Sequence, residues 1–147
     1  MTLRVLRASA RHAETLRALH TLTFPHDDHE DYTSGYWWIV WDGDAPVAFA
    51  GMRCSVTAPA TAYLSRCGVL KSHRGLRLQP ALLRRRLTLA KREGFQAAIS
   101  TTYLNTPSAN NLIRAGFRLY DPEAPWGALG TCYWRRELPL SAKPVSR

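Results

Sequence analysis

The pattern of apolar and polar positions predicts how the chain alternates between strands and helices. Leu3–Leu6 predicts a short strand. A helix follows, with Ser9 as its cap and an end near Phe24, because the leucines of this stretch recur at helical spacing. The chain is therefore expected to begin with a strand and a helix.

The next stretch predicts a β-hairpin and a third antiparallel strand. Aromatic and β-branched residues fill Gly35–Trp41, Asp42-Gly43 is a strong turn pair, and Pro46–Arg53 forms the return strand. Ala62–Leu70 continues the sheet after a turn that contains Pro59.

Apolar spacing then changes back to that of a helix. Pro80–Arg92 predicts a helix that ends at Gly94, and Gln96–Tyr103 predicts a strand. Because a crossover helix precedes it, this strand should run parallel to the strand before the helix. Phe117–Tyr120 and Cys132–Glu137 are expected to be the closing strands.

Length and composition favour a single domain over residues 1–147. Hydrophobic residues make up 46% of the chain, and no shift in composition marks a second unit. No apolar run approaches the roughly 20 residues that span a bilayer, and Met1–Arg11 lacks the apolar block of a secretory signal. We expect a cytoplasmic protein without membrane association, and a frayed tail over Leu138–Arg147.

The formal charge of +9 favours anionic partners. A phosphate-bearing cofactor fits this charge. Nucleic acid is possible but not favoured, since the basic residues are dispersed and only Arg84–Arg86 forms a run, which is expected on a solvated helix face.

The three cysteines, Cys54, Cys67 and Cys132, show no C-x-x-C spacing. They are expected to be buried thiols rather than a disulfide framework or a zinc site.

Residues Asn105–Phe117 predict a strand exit, a short capped helix and the entry to another strand. Asn105 can leave the strand with its amide exposed, Ser108 or Pro107 can open the helix, and Gly116 fits the left-handed stop.

A second informative segment is Val69–Gln79. Together with Asn105–Phe117, the sequence His73-Arg74-Gly75 resembles the motifs of the GNAT superfamily of acetyl-CoA-dependent N-acetyltransferases. The resemblance implies that this segment places successive backbone N–H groups at a helix N-terminus, where they can hold a pyrophosphate, and Arg74 adds a permanent cation.

The resemblance implies a fold. The predicted order β-α-β-β-β-α-β-α-β-β is that of the GNAT fold, an α/β (α+β) architecture. It has a mixed central sheet of about seven strands, flanking helices, and splayed parallel strands four and five.

The resemblance also implies acetyl-CoA (coenzyme A) as the cofactor. Its pantetheine arm would bind the backbone from Cys67 to Val69, and Asn105, Ser108 and Asn110 would contact the arm, although Asn110 equally fits a solvated helix position. The residues expected under the pyrophosphate are Arg74, Gly75, Leu76, Arg77, Leu78 and Gln79. Arg77 and Gln79 stand where the family pattern has glycine.

Catalysis in the family often uses a tyrosine acid at the position held here by Ile113. Tyr103 and Tyr120 are the candidate replacements, and a packing role is the alternative for each. The implied reaction is direct attack of a primary amine on acetyl-CoA in a ternary complex.

The segment His26–Asp31 combines four carboxylates with two histidines. In the family this connection borders the acceptor pocket, so His26, Asp28 and His29 are candidates for acceptor binding, as is Trp126 in a later loop. A solvated loop is the alternative. No metal site is expected, because adjacent residues rarely converge on one ion.

The acceptor stays open between a small-molecule amine and a protein amine, and a homodimer stays open too. Two other functions also remain. One is a catalytically degenerate GNAT domain that binds CoA or a protein. The other is a basic RNA-binding module that uses the Arg84–Arg86 helix as a phosphate contact.

Overall fold

The structure is a computed structural model, and it describes residues 1–139. Its strands are β1 (Leu3–Ala8), β2 (Tyr36–Asp42), β3 (Ala45–Cys54), β4 (Thr61–Val69), β5 (Ala97–Thr102), β6 (Arg118–Leu119) and β7 (Cys132–Glu137). Its helices are α1 (Ala13–Thr23), α2 (Leu78–Arg92) and α3 (Thr106–Arg114), with short 3-10 turns at Ala10–His12 and Lys71–His73. The predicted order of strands and helices is confirmed.

The seven strands form one mixed sheet in the order β1-β2-β3-β4-β5-β7-β6. β1 and β3 run antiparallel to β2, and β5 and β6 run antiparallel to β7. β4 and β5 are parallel, with Thr61–Tyr63 in register with Ala97–Ile99. The fold class expected from the resemblance is therefore confirmed, including the parallel strands four and five.

The hairpin of β2 and β3 follows from its turn and its buried faces. Asp42 pairs with Ala45, which leaves Gly43 and Asp44 as a two-residue loop. Gly43 has a φ of +59°, the left-handed geometry that a glycine supplies in such loops. Trp37 to Val40 are buried, so this hairpin carries much of the core.

The described chain divides into two compact units. The first unit comprises Met1–Arg53 with Leu64–Arg86, and the second comprises Cys54–Tyr63 with the chain from Leu87 onward. The single domain over residues 1–147 stays a prediction.

Helix α1 packs onto the hairpin in the first unit through an apolar cluster: Leu16, Leu19, Tyr32, Trp37, Ile39 and Phe49. β4 comes close to this cluster at Gly68. A Cβ atom built on Gly68 would lie 2.5 Å from Thr23 Oγ1 and 2.7 Å from Phe49 Cε1. Only glycine fits where the helix end meets the strand.

Helix α2 differs from the prediction at its start and on one face. It begins at Leu78, two residues before Pro80, because a proline in the first turn removes an N–H that has no partner within the helix. Arg84 and Arg85 are exposed as expected, but Arg86 is only 5% exposed. The solvated face predicted for the whole basic run is therefore wrong for Arg86.

The buried Arg86 is held by carbonyl oxygens. Its Nε donates to the Leu82 oxygen at 3.3 Å, and its Nη1 donates to the Gly51 oxygen at 3.4 Å. Within residues 1–139 no carboxylate forms an ion pair with it. Burial accordingly lowers the pKa of the guanidinium.

Two of the cysteine predictions are wrong. Cys54 ends β3 and Cys132 begins β7, and both are exposed, whereas Cys67 is half-buried. Strand ends reach the sheet boundary, where an alternating pattern no longer implies burial.

The predicted tail begins too early in the chain. Leu138 is 3% exposed and its N–H donates to the Gln96 oxygen at 2.8 Å, so it is fixed rather than frayed. The rest of that prediction, residues 140–147, lies outside the described residues.

Candidate active site

The segment between β4 and α2 combines a turn with an open glycine. After the 3-10 turn Lys71–His73, the Arg74 side chain folds back so that its Nε donates to the Val69 oxygen at 3.3 Å. Gly75 has a φ of +82°, and apart from the two adjoining residues no atom of residues 1–139 lies within 4 Å of a Cβ built there. The backbone at Gly75 is therefore open to a ligand.

The charges of this segment favour an anion. Lys71, Arg74 and Arg77 are basic, and the first turn of α2 contains no acidic residue. Unpaired N–H groups at a helix start carry partial positive charge, which adds to that of the side chains.

His73 fixes the turn to the hairpin. Its Nε2 lies 2.8 Å from Asp42 Oδ2, and its Nδ1 lies 2.7 Å from Ser72 Oγ. The hydrogen bond from His73 lowers the pKa of the Asp42 carboxyl. These hydrogen bonds connect the turn before Arg74 to the end of β2.

The two residues that replace family glycines behave differently. Arg77 has a φ of +60°, a left-handed conformation that side chains rarely adopt, and its oxygen accepts the N–H of Ala81 at 3.3 Å. Gln79 lies inside α2, where an ordinary residue fits. The glycine pattern therefore corresponds to a conformational need at residue 77 only.

Replacing Arg77 with Gly should raise the free energy of unfolding by up to about 1 kcal/mol, because glycine adopts positive φ without a steric penalty. Urea denaturation measures the change. The exposed helical Arg84→Ala is the control and should stay within about 0.5 kcal/mol of the natural protein. A destabilised Arg77→Gly protein would show that the side chain supports the fold.

Asn105 caps α3. Its Oδ1 accepts the N–H of Ser108 at 3.1 Å, and the helix begins at Thr106 with Pro107 in its first turn. The helix start predicted at Pro107 or Ser108 is therefore late by one or two residues. Ser108 is half-buried, and Asn110 is exposed on α3.

Removing this cap should weaken the second unit. Asn105→Ala is expected to lower the free energy of unfolding by about 1 kcal/mol, whereas Asn105→Ser keeps a capping oxygen and should lose less. Equal losses in the two variants, measured by thermal or urea unfolding, would contradict the capping role.

Cys67 and Val69 lie at the end of β4. Val69 is 8% exposed and Cys67 is half-buried. Burial raises the pKa of the Cys67 thiol, although the nearby Arg86 guanidinium acts in the opposite direction. The thiol is therefore held protonated and is a poor nucleophile.

The candidate acids differ in environment. Tyr103 follows β5 and is 53% exposed. Tyr120 is half-buried, and burial raises the pKa of its hydroxyl. The catalytic roles predicted for Tyr103 and Tyr120 stay predictions. Ile113, at the usual tyrosine position, is 53% exposed.

Part of the acidic segment is already paired. Asp27 Oδ2 lies 2.7 Å from Arg66 Nη1, and Glu30 Oε1 lies 3.1 Å from Arg53 Nη1. His26 and Asp28 are exposed on the same segment. The segment therefore carries less free negative charge than its sequence suggests.

A buried histidine, which sequence analysis missed, lies behind this segment. His20 is fully buried, and its Nδ1 is 2.5 Å from the Tyr32 hydroxyl, which is also 2.8 Å from His29 Nδ1. Its Nε2 is buried without a hydrogen-bond partner among the described residues. The signal was present in the sequence, since His20 follows Leu16 by four residues on the apolar stripe of α1.

Trp126 lies in the loop between β6 and β7 and is 43% exposed. Its ring is 4.8 Å from that of Tyr133, at an angle of 73°.

In the described part of the chain no helix has both the length and the apolar character to cross a membrane.

Solved structures similar to this chain are acetyltransferases. An IAA acetyltransferase from Bacillus cereus shares 16% identity, with a TM-score of 0.74 over 93% of this chain and 100% of its own. A Bacillus subtilis acetyltransferase in complex with CoA shares 17% identity, with a TM-score of 0.74 over 94% of this chain and 100% of its own. The ribosomal-protein-S18-alanine N-acetyltransferase of Escherichia coli shares 9% identity, with a TM-score of 0.77 over 99% of this chain and 100% of its own.

These likenesses concern the fold, and no curated protein sequence matches the chain significantly. The model of the acetyltransferase (GNAT) family, however, matches residues 6–117. This stretch contains the open segment around Gly75 and the capped helix at Asn105. The chain belongs to the GNAT family of acetyltransferases.

Proposed function

We propose that this chain transfers an acetyl group from acetyl-CoA to a primary amine by direct attack in a ternary complex. The observation that carries the proposal is the basic segment before α2, with an open backbone at Gly75 and no acidic residue in the first helical turn. Such a segment suits a pyrophosphate. The solved Bacillus subtilis relative was determined in complex with CoA.

In this reaction a neutral amine attacks the thioester carbonyl carbon. The C–N bond forms as the C–S bond breaks, and the leaving thiolate takes a proton while the new amide loses one. Arg74 and Arg77 would hold the phosphates, the backbone of Cys67–Val69 would hold the pantetheine arm, and Asn105 would contact the arm. Tyr103 or Tyr120 would supply the proton.

Calorimetry with acetyl-CoA tests the cofactor. Arg74→Ala should weaken binding about tenfold, the loss expected for one charge-assisted hydrogen bond, and Arg84→Ala, at an exposed position of α2, should not. If acetyl-CoA at hundreds of micromolar does not bind, the proposed acetyltransferase activity is wrong.

An amine panel with detection of released thiol tests the chemistry. Tyr103→Phe and Tyr120→Phe each remove one hydroxyl and keep the ring. The variant that lacks the acid should lose turnover while it retains acetyl-CoA affinity. Cofactor binding without turnover on any amine would instead favour a degenerate domain, and affinity for RNA that falls steeply with salt would favour the nucleic-acid module.

The acceptor class, small molecule or protein, is tested by the same panel extended to peptides. Size-exclusion chromatography with light scattering tests the homodimer. Fractionation of the expressing cells tests the cytoplasmic location.

A further inference from the structure

Four aromatic rings from separate segments of the second unit lie together. The Tyr63 ring in β4 is 6.4 Å from that of Trp126, the Trp126 ring is 4.8 Å from that of Tyr133, and the Tyr133 ring is 6.4 Å from that of Tyr120. Successive rings meet at 73° to 78°.

The exposed member of this aromatic cluster is fixed by the backbone beside it. The N–H of Gly127 donates to the Tyr133 hydroxyl at 2.8 Å, and the N–H of Thr131 donates to the Ala128 oxygen at 3.0 Å. A Cβ on Gly127 would lie 2.6 Å from Thr131 Oγ1, so the turn is tightly packed. Trp126 is thereby held in place although 43% of its surface faces solvent.

The loop that carries Trp126 has the opposite charge to the rest of the chain. Residues 121–130 include Asp121 and Glu123 and no Lys or Arg, whereas the whole chain carries +9. Both carboxylates are exposed, and neither forms an ion pair within residues 1–139. Arg135, whose charge acts to lower the pKa of the Tyr120 hydroxyl, pairs with Glu137 at 2.8 Å.

Aromatic faces attract cations, whereas ring edges carry partial positive charge, so a group of rings can hold one ammonium through the faces that neighbouring rings leave open. We propose that the aromatic cluster binds a cationic ammonium group, with Asp121 and Glu123 raising its local concentration. The role given to the bound ammonium in acceptor recognition rests on the proposed function. The reacting amine must be neutral, so the bound ammonium is a second group on the acceptor, which makes the acceptor class a diamine or an amine with a quaternary nitrogen.

The test compares choline with its neutral isostere 3,3-dimethylbutan-1-ol, each titrated without acetyl-CoA and followed by NMR. The two probes match in shape and differ in charge. Choline should bind at least about fivefold more tightly, as expected for a contact worth roughly 1 kcal/mol. Equal affinity would mean a merely apolar surface, and no binding of either probe would mean no site; both outcomes overturn the proposal.

Trp126→Leu should abolish the preference for choline and keep an apolar side chain. Leu129→Ala, a fully exposed position of the same loop, should leave the preference unchanged. Preference retained in Trp126→Leu would also overturn the proposal. Because the choline titration contains no acetyl-CoA, failure of this inference can be distinguished from failure of the proposed function. Acetyl-CoA binding without choline binding removes only this inference, and the reverse removes only the proposed function.

Discussion

A Gly68→Ala protein should have a free energy of unfolding about 2 kcal/mol lower than that of the natural protein. The new Cβ would meet Thr23 Oγ1 at 2.5 Å, Phe49 Cε1 at 2.7 Å and Thr23 Cβ at 2.9 Å. Neither neighbour can move easily, since Thr23 Oγ1 bonds the Leu19 oxygen at 2.8 Å and Phe49 is fully buried. Overpacking of this kind costs roughly 1–3 kcal/mol.

Two variants identify the cause. Gly75→Ala also places a methyl on a glycine, but in open space, so only backbone strain of about 1 kcal/mol is expected. Thr23→Gly removes two of the clashing atoms at the last residue of α1, so Gly68→Ala should be less harmful in that background. Urea denaturation of the natural protein, Gly68→Ala, Thr23→Gly and the double variant gives the coupling energy between the two positions. Losses of unfolding free energy that simply add would contradict a direct clash.

The first unit should lose stability as the pH falls below about 6.5, the ordinary pKa of histidine. Burial, with smaller effects from His29 and Arg66 against those of Asp27, lowers the pKa of His20 in the folded protein. Below about 6.5 the unfolded chain therefore binds a proton that folded His20 does not. Stability is complete above that pH and falls until His20 itself is protonated, with a slope of up to about 1.4 kcal/mol per pH unit.

His20→Met should remove this part of the slope, because it replaces the imidazole with an apolar side chain that cannot titrate. His26→Gln, on the exposed segment, should retain it. The experiment is denaturant unfolding at a series of pH values from 8 down to about 5. A natural protein whose stability does not change across this range would rule out a depressed pKa at His20.

Tyr32→Phe examines the same cluster at neutral pH. The substitution leaves His20 Nδ1 without its partner, and Nε2 has none already among the described residues. An unsatisfied buried polar group costs about 1–3 kcal/mol, so a loss of that size is expected. An unchanged free energy of unfolding would mean that water or another group replaces the hydroxyl.

The sequence predicted the sheet well because its strands carry short-range signals. Aromatic and β-branched residues around Trp37 and Trp38 and the pair Asp42-Gly43 point to a hairpin on their own, since strand and turn preferences are local. The parallel orientation of β5 follows from the helix before it. These inferences need no knowledge of distant contacts.

Prediction was weaker wherever two local signals competed. Asn105, Pro107 and Ser108 all fit a helix start, and only the hydrogen bond from Ser108 N–H to Asn105 identifies the cap. Arg86 was assigned to solvent from its basic neighbours, although it follows Leu82 by four residues on the buried stripe. Periodicity was the better guide there, because a long side chain can be buried when carbonyl oxygens accept its protons.

The candidate site was predicted least well where it depends on distant partners. Nothing in the local sequence links His73 to Asp42, or Asp27 to Arg66, because each pair is brought together by the sheet. For the same reason the rings of Tyr63 and Trp126 could not be joined in advance. A resemblance supplies the family of the site, whereas its charges and contacts depend on the folded chain.

The exposed thiols of Cys54 and Cys132 have a practical consequence for enzymology. Reagents that report released CoA by reacting with its thiol will also modify these two side chains and give a background signal proportional to enzyme concentration. Serine at both positions would remove that background while leaving the half-buried Cys67 in place. In the natural protein the same two cysteines are ready attachment points for fluorescent or spin labels.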